Sequence, residues 1–419
     1  MNLFTVNSGF KSFRPRIKKI FLFMCIAIFS YASFPQQSFI EQSLVINVEV
    51  PVRVYKGNTF INDLSIKDFE LFEEGIKQKI EAVYLIKKKS VERSDEKKKF
   101  RPQTSRTFYL FFEVNEYSRR IQEAMKYFME EIFLPDDNLI IITPMKTYRL
   151  TDESKKVKSK QDILEEIKGL LRPDALAGSA EFRHIVRDIE QLSIEMKSLI
   201  QQATGEQDAG DVDLRDAGQK LVEYAGLMSR LQTYRQADEL RLIDFANYLK
   251  TQDRQNYVFI FYEKKLIPQI DPTLLADFIN NFEGDSYVVQ SLTSVLDYNK
   301  RETYLDVKKI TQAFSDTSTS VHFLHVSTPV AQIPGLRMEE YSQETFNILI
   351  EIARATGGYA ESSSNPAVLF KNALHASENY YLVYYSPKDY AGDGKFKKIE
   401  IKVKNKDYKV IYRLGYFSN

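Results

Sequence analysis

Tryptophan is absent from this 419-residue sequence, cysteine occurs once and histidine four times. The single cysteine, Cys25, lies in a leader-like stretch. Once that leader is lost, disulfides, thiolate metal sites and cysteine nucleophiles are excluded. Net charge is nearly absent too: 58 Lys+Arg stand against 57 Asp+Glu, a formal +1. No global field exists to hold a nucleic acid or an anionic membrane, and neither is expected as a partner. The histidines are His184, His322, His325 and His375. His322 and His325 are three apart on a strand-like run, so their side chains leave opposite faces and cannot grip one metal ion. There is no HExxH, no phosphate-cradling GxxxxGK[ST], no dinucleotide GxGxxG and no GxSxG turn. Carboxylates are scattered among lysines, as on a solvated surface. Nothing nominates a catalytic group, and the expectation is a protein that is not an enzyme.

What is present is ordinary for a globular chain: 43% apolar residues, 27% charged, and 13% aromatic carried by 29 Phe and 25 Tyr. The length favours two or three domains. Lys11, Arg14, Arg16, Lys18 and Lys19 precede the apolar run Ile20 to Phe29 and the small residues Ser30 and Ala32. That is the layout of a secretory signal peptide over residues 1–32. Its apolar run falls short of the roughly 20 residues needed to span a bilayer, so no stable membrane span is expected after cleavage. The product would be extracytoplasmic, periplasmic or secreted. Leu22-Phe23-Met24-Cys25 is a poor lipoprotein signal, because Met24 is too large for the position before a lipidated cysteine.

Leu44 to Val54 alternates apolar and polar residues and ends in Lys56-Gly57-Asn58. With Phe69–Phe72 and Lys79–Ile86, it predicts an N-terminal β-segment over 40–87. Residues 88–105 are almost wholly polar and read as a charged linker. Thr107–Phe112, Asn138–Thr143, Tyr257–Phe261 and Ser320–Val326 are continuous apolar runs, the signature of strands buried on both faces of a parallel sheet. Helical spacings lie between them, including Ile121, Met125, Phe128, Met129 and Ile132, and Ile163, Ile167 and Leu170 closed by Arg172-Pro173. The expectation is a doubly wound α/β domain over 106–377. A helical hairpin over 180–235, with a polar tip at Thr204–Asp213, interrupts it. Tyr380–Tyr385 should sit mid-sheet, and the C-terminal β-segment, 378–419, should pair with the N-terminal one into a small β-sandwich.

Four stretches carry a family resemblance: Val48–Val54 through Leu64–Gly75; Leu249–Ile260; Ile352-Ala-Arg-Ala-Thr-Gly-Gly358; and Tyr380–Phe417, with Tyr385-Ser-Pro387, Asp393–Ile399 and Gly415-Tyr-Phe417. In these the chain resembles the von Willebrand factor type A (vWA) fold, specifically the VWFA-related proteins of acidobacterial type. The resemblance covers nearly all of the chain after residue 32 except the helical insert. It implies a metal-ion-dependent adhesion site, normally Asp-x-Ser-x-Ser with a distant Thr and a distant Asp around an octahedral Mg²⁺. Here Glu113 stands at the Asp position, Asn115 and Tyr117 at the two Ser positions, Gly178-Ser179 at the Gly-Thr element, and Tyr262 with Glu263 near the second Asp. Every position departs from the motif. Tyr is too bulky for a ligand shell of about 2.1 Å, and Glu shifts its oxygens by a methylene. Glu113, Asn115, Ser118, Ser179 and Glu263 remain the candidate oxygen donors, in what reads as a degenerate site with no metal or other cofactor expected.

The function these features imply is an extracytoplasmic protein-interaction module with an unknown protein partner, probed by fold analogy and by missing catalytic groups. Two alternatives stand beside it: a Mg²⁺-dependent adhesin with a non-standard site, and a structural envelope component self-associating through the helical insert. Oligomeric state and pathway are not written in the sequence.

Overall fold

The computed structural model describes residues 46–418 apart from 206–213, 233–237, 253, 264–265, 283, 285, 300–304, 331, 340–342 and 389. The leader over 1–32 with Cys25, and most of the polar tip of the insert, lie outside the described residues.

The chain folds as a mixed α/β protein. Its central sheet contains, in chain order, Arg106–Glu113, Asn138–Ile142, Thr147–Arg149, Gln255–Glu263, Thr319–Val326 and Ala360–Ser363. In space these run third, second, first, fourth, fifth, sixth, and all are parallel except the third, a short antiparallel edge. Every residue of Arg106–Glu113, Gln255–Glu263 and Thr319–Val326 is buried. That is why these runs show no alternation: both faces are covered. Phe108, Leu110 and Phe112 enter one core with helices Arg119–Tyr127, Lys160–Gly178 and Pro366–Glu378. Tyr109 and Phe111 enter the other, against Glu239–Lys250, Val307–Ser315 and Gln343–Ala355.

Two features of the first helical layer matter for the site. Ser118 caps Arg119–Tyr127 by accepting the Ile121 N–H at 3.4 Å. Helix Lys160–Gly178 runs through Pro173 instead of ending at Arg172-Pro173. A proline inside a helix costs one main-chain bond, here to the Gly169 carbonyl. The buried side chains of Ile163, Leu164, Ile167, Leu171 and Ala175 keep the helix docked on both sides of it.

The terminal β-segments interleave. Lys409–Tyr412, Val48–Lys56, Asn379–Tyr385, Ile80–Lys87 and Ser90–Glu96 form one sheet in that order, so Asn379–Tyr385 is its middle strand. Gly415–Phe417, Phe396–Val403, Phe69–Glu73 and Ile76–Gln78 form the facing one. Val50, Val52, Leu71, Tyr381, Val383, Ile399 and Ile401 fill the space between them. The expected linker over 88–105 is corrected here: Ser90–Glu96 is an edge strand paired antiparallel with Ile80–Lys87. Charge density does not forbid this, because an edge strand pairs its backbone on one side while its side chains stay in solvent, and charged edges resist further pairing.

The insert is larger than a hairpin. Ala180–Ala203 and Leu214–Gln232 share a core with Pro272–Phe282, Ser286–Asn299 and the ribbon of Ile267–Ile270 with Leu336–Glu339. Phe182, Ile189, Met196, Leu221, Phe278 and Phe282 lie at its centre. The sandwich is fastened to the α/β layers by polar groups. Arg53, 2% exposed, donates Nη1 to the Gly357 carbonyl at 2.6 Å, Nη2 to Ser320 Oγ at 3.1 Å, and Nε to the Ala376 carbonyl. Gly357 and Ala376 lie at the carboxyl-terminal ends of helices Gln343–Ala355 and Pro366–Glu378, so the guanidinium meets the negative ends of two helix dipoles.

Candidate functional site

In open α/β sheets, ligands bind beyond the carboxyl ends of the strands, where the strand order reverses. Here that point lies between Arg106–Glu113 and Gln255–Glu263, whose last paired residues are Glu113 and Tyr262. A cavity of about 430 Å³ opens there. Val114, Ile121, Leu176 and Val326 give it apolar walls. Asn115, Glu116, Ser118, Arg183, Glu263 and Thr328 supply its polar groups.

Three of the five candidate donors, Asn115, Ser118 and Glu263, therefore line one cavity. Glu263, 9% exposed, accepts the Asn115 N–H on Oε2 at 2.9 Å. Ser179 stands behind them at the junction of helices Lys160–Gly178 and Ala180–Ala203. Its Oγ lies within hydrogen-bonding distance of the carbonyls of Asn115 (2.9 Å) and Ala175 (2.8 Å) and accepts from Arg183 Nη1. Arg183 Nη2 donates to the Leu176 carbonyl at 2.8 Å. Glu113 is not brought in. Strand alternation puts it on the face of Tyr109 and Phe111, whereas Glu263 lies alongside Val114 on the face of Phe112. Tyr117 packs against the first core, and burial raises its phenol pKa.

These donors do not fit a Mg²⁺ shell. An octahedral site needs converging oxygens with free lone pairs. Glu113 and Glu263 diverge, Ser118 Oγ is occupied by a helix N–H, and Ser179 Oγ is tied to backbone carbonyls and a guanidinium. A fixed cation, Arg183, also lines the cavity. Among the described residues, no group of three or more His, Cys, Asp or Glu is placed to hold a metal ion.

Sequence reading missed Arg183, Glu116 and Thr328. Arg183 had a readable signal: it follows Ser179 by four residues, one helical turn, so a helix starting at Ser179 puts both on one face. Asn115 carries a further feature: its Oδ1 is buried and has no hydrogen-bond partner.

Elsewhere, His322 and Ser377 resemble a nucleophile–base pair but are wired the wrong way. The Tyr359 N–H donates to His322 Nδ1 at 3.1 Å, so the ring proton sits on Nε2. Nε2 then donates to Ser377 Oγ at 2.9 Å, and Ser377 donates to the Ala373 carbonyl at 2.8 Å. His322 has no lone pair left to take the serine proton. It is fully buried and stacked on Phe259 at 4.7 Å, while His325 lies on the opposite face against Phe346. Burial, with a smaller contribution from Arg53, holds the His322 pKa well below the usual imidazole value. The unfolded chain therefore binds a proton that the native state refuses. Stability present above about pH 6.5 is lost as pH falls, by up to about 1.4 kcal/mol per unit until the native pKa is reached. His322→Gln should remove that component. Urea unfolding of both proteins between pH 7 and 5 reads it, and parallel pH dependences would contradict it.

Compared with protein-family models, with curated proteins and with solved structures, the chain has no match.

Proposed function

We propose that the chain is an exported protein-interaction module built on a vWA-type scaffold and working without a bound metal ion. The scaffold reading is supported by the strand order third-second-first-fourth-fifth-sixth with an antiparallel third strand, together with the motifs at Gly357-Gly358 and Gly415-Tyr-Phe417. Export rests on the leader over 1–32. No helix among the described residues is long and apolar enough to cross a membrane. The observation that carries the binding reading is the cavity at the sheet's switch point, lined by a buried carboxylate and by Asn115 with its unpaired Oδ1. The metal-independent reading is supported by the Ser118 and Ser179 oxygens, already engaged in internal hydrogen bonds, and by the Arg183 cation on the cavity wall.

Two measurements test this. Millimolar Mg²⁺ should leave the melting temperature unchanged, because only an ion that binds the native state raises it. A rise of several degrees that Glu113→Ala removes would establish the adhesin reading instead. In affinity capture from envelope extracts, a partner should be retained equally with and without chelator. It should be lost on Thr328→Trp, which fills the mouth of the cavity from an exposed loop position. Capture insensitive to Thr328→Trp would place binding elsewhere.

A further inference from the structure

The chemistry of the cavity specifies what it takes. We infer that it receives a cationic side chain, a lysine or arginine of the partner, with the Glu263 carboxylate as counter-charge; the inference rests on the interaction-module reading above.

Three observations carry it. First, Glu263 is a carboxylate nine-tenths buried on the cavity wall, and among the described residues it forms no ion pair. Buried charges are ordinarily paired, so an accessible one without a counter-ion is a vacancy for a cation. Second, the described lining carries more negative than positive charge. Glu116 adds a second negative charge to that of Glu263. The one cation among the described residues that line it, Arg183, directs both terminal nitrogens to Ser179 and Leu176. Third, Val114, Ile121 and Val326 form an apolar flank suited to the methylene stem of a long basic side chain, whose charged head would reach Glu263.

The opposite polarity has an argument: the amino-terminal end of helix Arg119–Tyr127 meets the cavity at Ser118, and helix amino termini favour anions. Here Ser118 Oγ already satisfies one of its N–H groups, and the resident carboxylates of Glu116 and Glu263 already offset the dipole. With two carboxylates against one guanidinium among its described residues, the lining asks for positive charge.

The test uses three capped tripeptides as probes, acetyl-Gly-Lys-Gly-amide and its norleucine and glutamate counterparts, titrated by calorimetry. The lysine probe should bind roughly tenfold or more tighter than the norleucine one, the scale of a charge-assisted hydrogen bond. Glu263→Gln should erase that preference. Its amide oxygen still accepts the Asn115 N–H, and an unfolding midpoint close to the parent's verifies that the fold is kept. Arg183→Gln, at an exposed position, should strengthen lysine binding by removing a like charge. A preference for the glutamate probe, equal or absent binding of the lysine and norleucine probes, or a lysine preference that survives Glu263→Gln would each overturn the inference. The two readings fail separately. A captured partner lost on Thr328→Trp but indifferent to Glu263→Gln keeps the module and removes the cation. Lysine selectivity without any captured partner does the reverse.

Discussion

Asp137→Ala should cost the fold about 3–5 kcal/mol, because it leaves the buried Arg106 guanidinium without its carboxylate, while Lys89 keeps Asp136 at 2.7 Å. Asp137 is fully buried, in the turn ahead of the second central strand. Arg106 binds its carboxylate two-pronged, Nε to Oδ1 at 3.1 Å and Nη2 to Oδ2 at 2.6 Å. Lys89 lies 2.8 Å from Oδ1, and the Leu134 N–H donates to Oδ2 at 2.9 Å. Arg106 begins the first central strand, whereas Lys89 belongs to the turn between two sandwich strands. The carboxylate thus ties the two halves together. Glu378 stands 3.8 Å from Arg106 Nη1, beyond hydrogen-bonding distance, and makes no comparable two-pronged contact. Replacing both members of the main pair, Arg106→Met with Asp137→Leu, should recover much of the loss, since matched apolar groups leave no uncompensated charge. Urea unfolding of the parent, both single variants and the double variant gives the coupling energy. A double variant as unstable as the sum of the singles would show that the network does not act as a unit.

The same network shows where sequence reading succeeds and where it stops. The apolar runs at Thr107–Phe112 and Tyr257–Phe261 mark strands that the structure extends to Arg106–Glu113 and Gln255–Glu263. Periodicity reads such elements because burial on both faces leaves a local trace. Arg106 and Asp137 leave none, since a buried pair 31 residues apart looks in sequence like any two surface charges. Ser90–Glu96 was misleading for a related reason: an edge strand is held by its neighbour's backbone, not by its own side chains. At the site, the family resemblance named Asn115, Ser118 and Glu263, which line one cavity, together with Glu113, which does not, because the one-residue offset between Glu113 and Val114 reverses the face. The insert's second pair of helices escaped for want of any signal that Phe278 and Phe282 join the core of Phe182 rather than those of the central sheet.

Gly358→Ala should be among the most damaging single-methyl additions in the chain, costing about 3 kcal/mol or more against the 1–3 typical of an overpacked core. Helix Gln343–Ala355 ends in a Schellman arrangement. Gly357 adopts φ 68°, its N–H donates to the Arg354 carbonyl at 3.1 Å, and the Gly358 N–H returns to the Ala353 carbonyl at 2.7 Å. The turn lays Gly358 against the fifth central strand, where a Cβ would stand 1.8 Å from the Val321 carbonyl oxygen and 2.6 Å from its carbon. Neither atom can rotate away, because Val321 lies within a strand paired on both sides. The next residues add to the constraint: the Tyr359 carbonyl accepts the Phe323 N–H at 2.7 Å and its N–H holds His322. Relief would have to come from lifting the helix end off the sheet, which also withdraws the Gly357 carbonyl from Arg53 and loosens the sandwich. Gly394→Ala is the opposite case, a surface glycine at φ 67° and so, unlike Gly358, in the left-handed region, with nothing within 4 Å of an added methyl. It pays only the left-handed backbone penalty of about 1–2 kcal/mol. Chemical denaturation of the two variants separates contact from conformation, and equal losses would mean that the approach to Val321 is not what the glycine is for.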